Sequence, residues 1–318
     1  MRRPRGPRRG ATAAADDDPR SGQIPAHFLG PVLLGLDIGG SASRARLRGD
    51  GHDVIDVEGP GANVATLESG LVDERLSSLL SPFGAMHPEA CCAGAAGAEV
   101  PAARRRLEAL LERMLPGCRL SVVHDARLVL AAAGLDAGIA LVAGTGSVAY
   151  GRTPDGREAQ RGGWGWMIGD DGSGAWITRE AAREVMRRVD SGAQLGALGE
   201  ALLRACGVAD ARQMIAALHA MREPMQWAAL ALAVFETAST DGGAADIVER
   251  AAASLSQLAR EVEHALGDDG PVALAGGLLL NQPNLEFAVR ERLAMRCIRL
   301  EEPPVEGALR LAAGLLRR

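Results

Sequence analysis

Three segments, "VLLGLDIGGS" (32–41), "IALVAGTGS" (139–147) and "VALAGGLLLN" (272–281), each run an apolar strand straight into paired or alternating glycines. Glycine loses more conformational freedom on folding than any other residue, so a turn built from it must meet a demand that a side chain would block. One such demand is the close approach of backbone N–H groups to an anion. Any one of these turns alone reads as a tight strand-to-turn connection. Three in one chain, one per half and one late, point to a nucleotide whose phosphates lie between two domains while its base rests on the third turn.

The chain contains no lysine; its basic residues are all arginine. A P-loop needs a lysine that reaches the phosphates, so that fold is excluded. A Rossmann GxGxxG is missing after the first strand, where "GLDIGGS" has the wrong spacing. Instead Asp37 stands just before the glycines. A carboxylate there repels phosphate unless a cation lies between them, which implies Mg²⁺ held by few protein ligands and by phosphate oxygens. The net charge of -5 gives no basic surface for nucleic acid. No apolar run reaches the ~18 residues of a membrane span. The five cysteines are odd in number and lack CxxC spacing, as expected of reduced, mostly buried thiols in a cytoplasmic protein.

Residues 1–30, rich in Arg, Pro, Gly and Asp, read as a disordered tail. From Pro31 onward strands alternate with helices: "PVLLGLD", a hairpin turning at Gly49-Asp50-Gly51, a helix over 65–81, a strand in "PEACCAGAAGA", helix 102–115, strand 119–125 and helix 126–134. The pattern restarts at Gly138 with a strand and a hairpin through Pro154-Asp155-Gly156, then runs helical from Ala175 to Leu266. Strand 271–277, helix 284–295, strand 296–302 and a last helix from Glu306 close the chain. Alternation predicts α/β layers, and the restart predicts two similar halves. The expected domains are 31–134, rejoined by the C-terminal helix 305–318, and 135–304, on either side of a cleft.

The order "LDIGGS", "HDA", "AGTGS", "GGWGWMIGDDGSGAWI", "ALAGG" resembles the N-acetylglucosamine kinase and BadF/BadG/BcrA/BcrD ATPase family, part of the actin, sugar-kinase and Hsp70 ATPase superfamily. The resemblance spans roughly Pro31 to Arg318, and "GGWG" followed by "GDDGSG" is its most specific part. It implies two ribonuclease-H-like domains, Mg-ATP as cofactor and a homodimer. It implies phosphorylation of an amino sugar, N-acetylglucosamine or glucosamine, at the 6-hydroxyl. By the same resemblance Asp37, Gly39, Gly40 and Ser41 form the first phosphate loop, with Asp37 toward Mg²⁺. Gly144, Thr145, Gly146 and Ser147 form the second, and Ala275, Gly276 and Gly277 lie against adenosine. Sugar contacts fall to Asn63, Asp125, Ser147, Val148, Gly163, Trp164 and Asp170. Departures from the family pattern are Ala42, where a basic residue is common, Val148, where the animal kinases have Asn, Arg161 before GGWG, and Asp171 in place of Glu.

Phosphotransfer to a hydroxyl needs a carboxylate that takes the proton, a contribution of ~10²–10⁴ in rate. Asp125 follows a strand and opens a helix, at the carboxyl edge where α/β ligands bind. The alternative is that it N-caps that helix. Its neighbour His124 is expected to point elsewhere. Adjacent Asp170 and Asp171 diverge, so Asp170 is expected to fix a loop or contact substrate while Asp171 caps the next helix. Asn63, in "GPGANVA", reads as a turn residue or a sugar contact. Two further readings remain open: an ATPase that activates a partner enzyme through an iron–sulfur cluster at a dimer interface, and a non-catalytic sensor. The first needs cluster-forming cysteines, and Cys91, Cys92, Cys118, Cys206 and Cys297 show no cluster motif.

Overall fold

The computed structural model describes residues 31–49, 53–84, 86–267 and 270–317; the segment 1–30 and the tip of the first hairpin, Asp50-Gly51, lie outside the described residues. The first half comprises β1 (Leu33–Ile38), β2 (Ala42–Gly49), β3 (Asp53–Pro60), α1 (Ser69–Leu80), β4 (Ala90–Ala95), α2 (Pro101–Met114), β5 (Arg119–His124) and α3 (Asp125–Ala132). The second begins with β6 (Gly138–Ala143), β7 (Ser147–Arg152) and β8 (Glu158–Gly162). Six helices follow: α4 (Gly174–Asp190), α5 (Gly196–Cys206), α6 (Ala211–Ala220), α7 (Pro224–Leu230), α8 (Leu232–Thr237) and α9 (Gly242–Leu266). The chain ends with β9 (Val272–Ala275), α10 (Gly277–Asn281), α11 (Pro283–Arg292), β10 (Cys297–Arg299) and α12 (Pro304–Leu316).

Two five-stranded sheets share one design. In the first the order is β3-β2-β1-β4-β5, in the second β8-β7-β6-β9-β10. Each opens with an antiparallel three-strand meander and adds two parallel strands beside the first. This is the pair of similar α/β halves that the restart at Gly138 predicts, in the ribonuclease-H-like form that the resemblance implies. The strand sequences follow their places. Central β4 is buried throughout, as a parallel strand covered on both faces must be. In β2, Arg44, Arg46 and Arg48 alternate with buried Ser43, Ala45 and Leu47. Within the helical region 175–266 the expected runs "REAAREVMRRV", "GALGEALLRACG" and "ERAAASLSQLAREVEHAL" fall in α4, α5 and α9, which are separated where Gly192, Gly196 and Gly207 take positive φ and Pro224 starts a new helix.

Helix α3 lies between the two sheets. Its Leu128 packs with Ala90, Cys92, Ala308 and Ala312 on the first sheet and α12. Its Ala126, Val129 and Leu130 pack with Ala140, Tyr150, Ala273 and Ala275 of the second. Helices α3 and α12 cross so closely that a Cβ at Gly307 would lie 2.0 Å from the Leu128 carbonyl oxygen. Buried Glu306 ties α12 to β2 through Arg48 at 2.7 Å and Arg46 at 3.2 Å. Burial opposes the charge of Glu306, but the two guanidinium groups outweigh it and hold the carboxyl below its ordinary value.

Candidate active site

A cavity of about 440 Å³ opens between the sheets, lined from the first half by Asp37, Arg44, Asp125, Ala126 and Val129. From the second half it is lined by Val142, Val148, Ala275, Gly276, Gly277, Leu280 and the segment Leu300 to Pro304. Asp37 is near the carboxyl end of β1 and Asp125 is the first residue of α3, directly after β5, so parallel strand packing brings both carboxylates to one sheet edge.

Burial, and then the charge of Asp125, push the Asp37 carboxyl up to about 7, against a downward pull from Arg44. Among the described residues no hydrogen bond reaches the Asp37 side chain. Burial also raises the Asp125 carboxyl, with the neighbouring His124 pulling the other way. Two carboxylates that share one cavity and resist ionisation fit a divalent cation, which removes the penalty on both charges. Among the described residues no group of three or more His, Cys, Asp or Glu side chains could hold a metal ion. A cation held beside Asp37 would therefore need water or phosphate oxygens for most of its ligands, as suits Mg²⁺.

His124 does not point away. Its Nδ1 lies 3.0 Å from Asp125 Oδ1, its ring stacks on Tyr150 with centroids 5.1 Å apart, and Nε2 lies 3.8 Å from Glu99. The Ala126 N–H donates both to Asp125 Oδ1 at 2.8 Å and to His124 Nδ1 at 3.1 Å. Thus His124 is the residue that N-caps α3, which leaves Asp125 in the first turn of the helix.

The first glycine turn folds back on the hairpin. Gly39 N–H donates to the Ala42 carbonyl, Gly61 N–H to Ser41 and Ala62 N–H to Gly39. Gly40 and Ser41 stay exposed, with open space around Gly40. In the second turn Gly144 N–H donates to the Gly146 carbonyl, and the Gly174 N–H of α4 donates to the Gly144 carbonyl. Thr145 is half-buried there, while the Ser147 hydroxyl is spent on the Asp171 carbonyl at 2.9 Å. In the third turn Gly276 has φ 93°, and a Cβ there would lie 2.3 Å from the Ala143 carbonyl oxygen. The third turn is thereby pressed onto the end of β6, next to the second.

Asp170 takes the left-handed conformation, φ 54°, unusual for a residue other than glycine. Its Oδ1 accepts from Gly165 N–H at 3.2 Å, and its Oδ2 fills the space beside Gly146 that a Cβ would claim at 2.6 Å. It joins the GGWG turn to the second glycine turn. Asp171, expected to cap α4, is exposed, and Ser173 caps instead by accepting from Trp176 N–H; the positive φ at Gly172 sets the helix start two residues later. Trp166 leans on Trp227. Trp164 projects from the surface, 74% exposed, beside exposed Gly163. Asn63 accepts from the N–H groups of Ala65 and Thr66, a turn role that leaves its side-chain amide nitrogen unused among the described residues.

Of the residues singled out in the sequence, Asp37, Asp125, Val148, Ala275, Gly276 and Gly277 meet in the cavity; Gly39, Gly40 and Ser41 of the first turn, Gly144, Thr145, Gly146 and Ser147 of the second, and Asn63, Gly163, Trp164 and Asp170 do not line it. Arg44, Glu301 and Glu302 line it too and were not anticipated. Arg44 was not legible from the glycines alone: a two-residue turn at Gly39-Gly40 sets residue 42 opposite residue 37, whereas the four-residue connection 39–42 of the structure sets residue 44 there.

A family model described as the BadF/BadG/BcrA/BcrD ATPase family matches residues 34–309. The N-acetylmuramic acid/N-acetylglucosamine kinase of Clostridium acetobutylicum is 32% identical over 167 residues, 50% of this chain and 54% of that protein, so the chain matches about half the length of this curated relative. The crystal structure of a Chromobacterium violaceum protein, provisionally named an N-acetylglucosamine kinase, superposes with TM-score 0.70 at 30% identity, covering 89% of this chain and 99% of that one. A Porphyromonas gingivalis protein with the same provisional name gives TM-score 0.71 at 21% identity over 88% and 97%. A ROK family glucokinase from Streptomyces griseus gives 0.56 at 14% identity over 90% and 100%, a likeness of fold. With its family model running from β1 into α12 across all three glycine turns, the chain belongs to the BadF/BadG/BcrA/BcrD ATPase family.

Proposed function

We propose that this protein transfers the γ-phosphoryl group of Mg-ATP to the 6-hydroxyl of an amino sugar, N-acetylglucosamine or glucosamine, with Asp125 as general base. The observation that carries this reading is the convergence of Asp37 and Asp125 in one cavity that also takes in the third glycine turn. The names of the curated relative and of the Chromobacterium violaceum protein support the choice of sugar class, and the former adds N-acetylmuramic acid to the sugars worth testing.

In this reading the sugar oxygen attacks the γ-phosphorus while Asp125 accepts its proton. The bond from that phosphorus to the bridging oxygen breaks, and its electron pair leaves on ADP. Asp37 would hold Mg²⁺, which would supply charge neutralisation for the phosphoryl group. His124 fixes the orientation of Asp125 through the shared Ala126 N–H. The first two glycine turns present the phosphates with N–H groups other than those of Gly39 and Gly144, which donate to carbonyls, while Val129, Leu280 and Leu300 give the adenosine an apolar wall. Asp170 keeps the GGWG turn and the second phosphate loop in a fixed relation, so that sugar and phosphate are positioned together.

The activator-ATPase reading finds no support in the thiols. Cys91 and Cys92 are buried side by side in β4, and Cys118, Cys206 and Cys297 stand on separate parts of the fold with no cluster spacing. The test is a panel of hexoses and hexosamines with coupled detection of ADP. Release of ADP that depends on an N-acetylated or free hexosamine is expected. A clear preference for plain glucose would overturn the sugar assignment, and ADP release without any sugar would favour an ATPase.

A further inference from the structure

The cavity between the sheets is lined by four carboxylates, those of Asp37, Asp125, Glu301 and Glu302, and by a single guanidinium, that of Arg44. A nucleoside triphosphate brings several negative charges into this acidic space. One cation beside Asp37 leaves part of that charge uncompensated, which makes the position of the lone arginine consequential.

Strand register fixes that position. In the antiparallel ladder of β1 and β2, Arg44 is directly opposite Asp37, and in the ladder of β2 and β3 it is directly opposite Glu58. Directly opposed residues share one face of a sheet, so Glu58, Arg44 and Asp37 form a row across three strands that ends in the cavity. Glu58 accepts a hydrogen bond from Arg44 Nε at 2.7 Å. The two terminal nitrogens of the guanidinium have no acceptor among the described residues, so the side chain is held by one edge and presents the other. Its charge already acts on Asp37, lowering that carboxyl against burial. Ala42, one step nearer the glycine turn on the same strand face, supplies no charge of its own.

We propose that Arg44 contacts the terminal phosphate of the bound nucleoside triphosphate, through the two nitrogens that Glu58 leaves free, and that Glu58 is its positioning residue. A guanidinium fork matches phosphate oxygens in a way that an ammonium group does not. Arg44 forms no covalent bond and takes no proton: it offsets the charge on the three oxygens of the phosphoryl group in transfer while the proton goes to Asp125. The proposal rests on the reading of this cavity as a phosphotransfer site.

The experiment compares the affinity of a non-hydrolysable ATP analogue, AMP-PNP, with that of ADP, by calorimetry in the presence of Mg²⁺, for wild type, Arg44→Gln, Arg44→Lys and Glu58→Gln. Thermal melts check folding. The Arg44–Glu58 pair is largely exposed, with 46% and 70% of the two side chains accessible, so its loss has little effect on stability. In Arg44→Gln the preference for AMP-PNP over ADP is expected to fall about tenfold or more, with ADP affinity within about twofold of wild type. Arg44→Lys should recover part of the preference, and Glu58→Gln should lose part of it. In turnover, kcat of Arg44→Gln should drop by about 10²-fold or more with a small change in the sugar KM. An unchanged AMP-PNP to ADP ratio in Arg44→Gln overturns the proposal even when wild type phosphorylates a hexosamine. A ratio that depends on Arg44 in a protein that phosphorylates no sugar sustains the proposal and overturns the kinase reading instead.

Discussion

Asp125 shows how much a single residue owes to its neighbours. A carboxylate at the start of a helix is usually a cap, but here the capping position belongs to His124, and the Ala126 N–H that Asp125 accepts is shared with that imidazole. Asn at position 125 preserves shape and that hydrogen bond while losing basicity. Asp125→Asn is therefore expected to leave the melting temperature and AMP-PNP affinity near wild type and to lower kcat by about 10²-fold or more. An early melt with normal turnover would make the residue a structural one. Because burial raises the Asp125 carboxyl, the base becomes ionised only above the ordinary carboxylate range of about 4. The acid limb of kcat/KM should accordingly lie above that pH, with activity falling as the pH falls. Asp37→Asn should separate from it by shifting the Mg²⁺ dependence of turnover.

Elements place these residues, and polar staples hold the elements. Buried Asp241 caps α9 by accepting from the N–H groups of Gly243 and Ala244, accepts from Leu198 N–H of α5, and pairs with Arg188 of α4 at 2.7 and 2.8 Å. Three helices thus meet on one carboxylate, which Arg188 above all holds well below the ordinary range. Removing it uncaps α9 and takes two hydrogen bonds from Arg188, which keeps Glu184 and the Leu195 carbonyl, so Asp241→Ala is expected to destabilise the protein by about 1–3 kcal/mol in chemical denaturation near neutral pH. The sign of the pH dependence follows. A carboxyl whose folded-state pKa is depressed stabilises fully above its unfolded value of about 3.9, and that stabilisation is lost as the pH falls through the folded-state value. The gap between wild type and Asp241→Ala should stay constant from pH 8 to 5 and narrow below about pH 4. A gap that widens in acid would show that the pairing is not what Asp241 contributes.

At the scale of the whole molecule, the cavity belongs to neither half alone, since its lining alternates between the two sheets and α3 is packed against both. We propose that residues 31–134 with 305–318, and residues 135–304, act as two bodies that close on the nucleotide and exclude water. Added AMP-PNP with Mg²⁺ should then slow hydrogen exchange at Gly39–Ser41, Gly144–Ser147 and Ala275–Gly277 together. Protection confined to one of the three turns would mean that the nucleotide does not bridge the halves. The sequence by itself determined what short-range periodicity encodes: the apolar strands, the glycine turns that end them, the restart at Gly138 and the absence of any lysine for a P-loop. Register and packing decided the rest. Residues 37, 44, 125 and 276 become neighbours only because two ladders and one shared helix bring distant segments to a common edge. His124 turns toward Asp125 because Tyr150 offers its ring a stacking partner. Ser173 takes the cap expected of Asp171, and Trp164 stands in solvent rather than in the cavity. Each of these outcomes depends on contacts between residues far apart in the chain, which no local pattern of residue types carries.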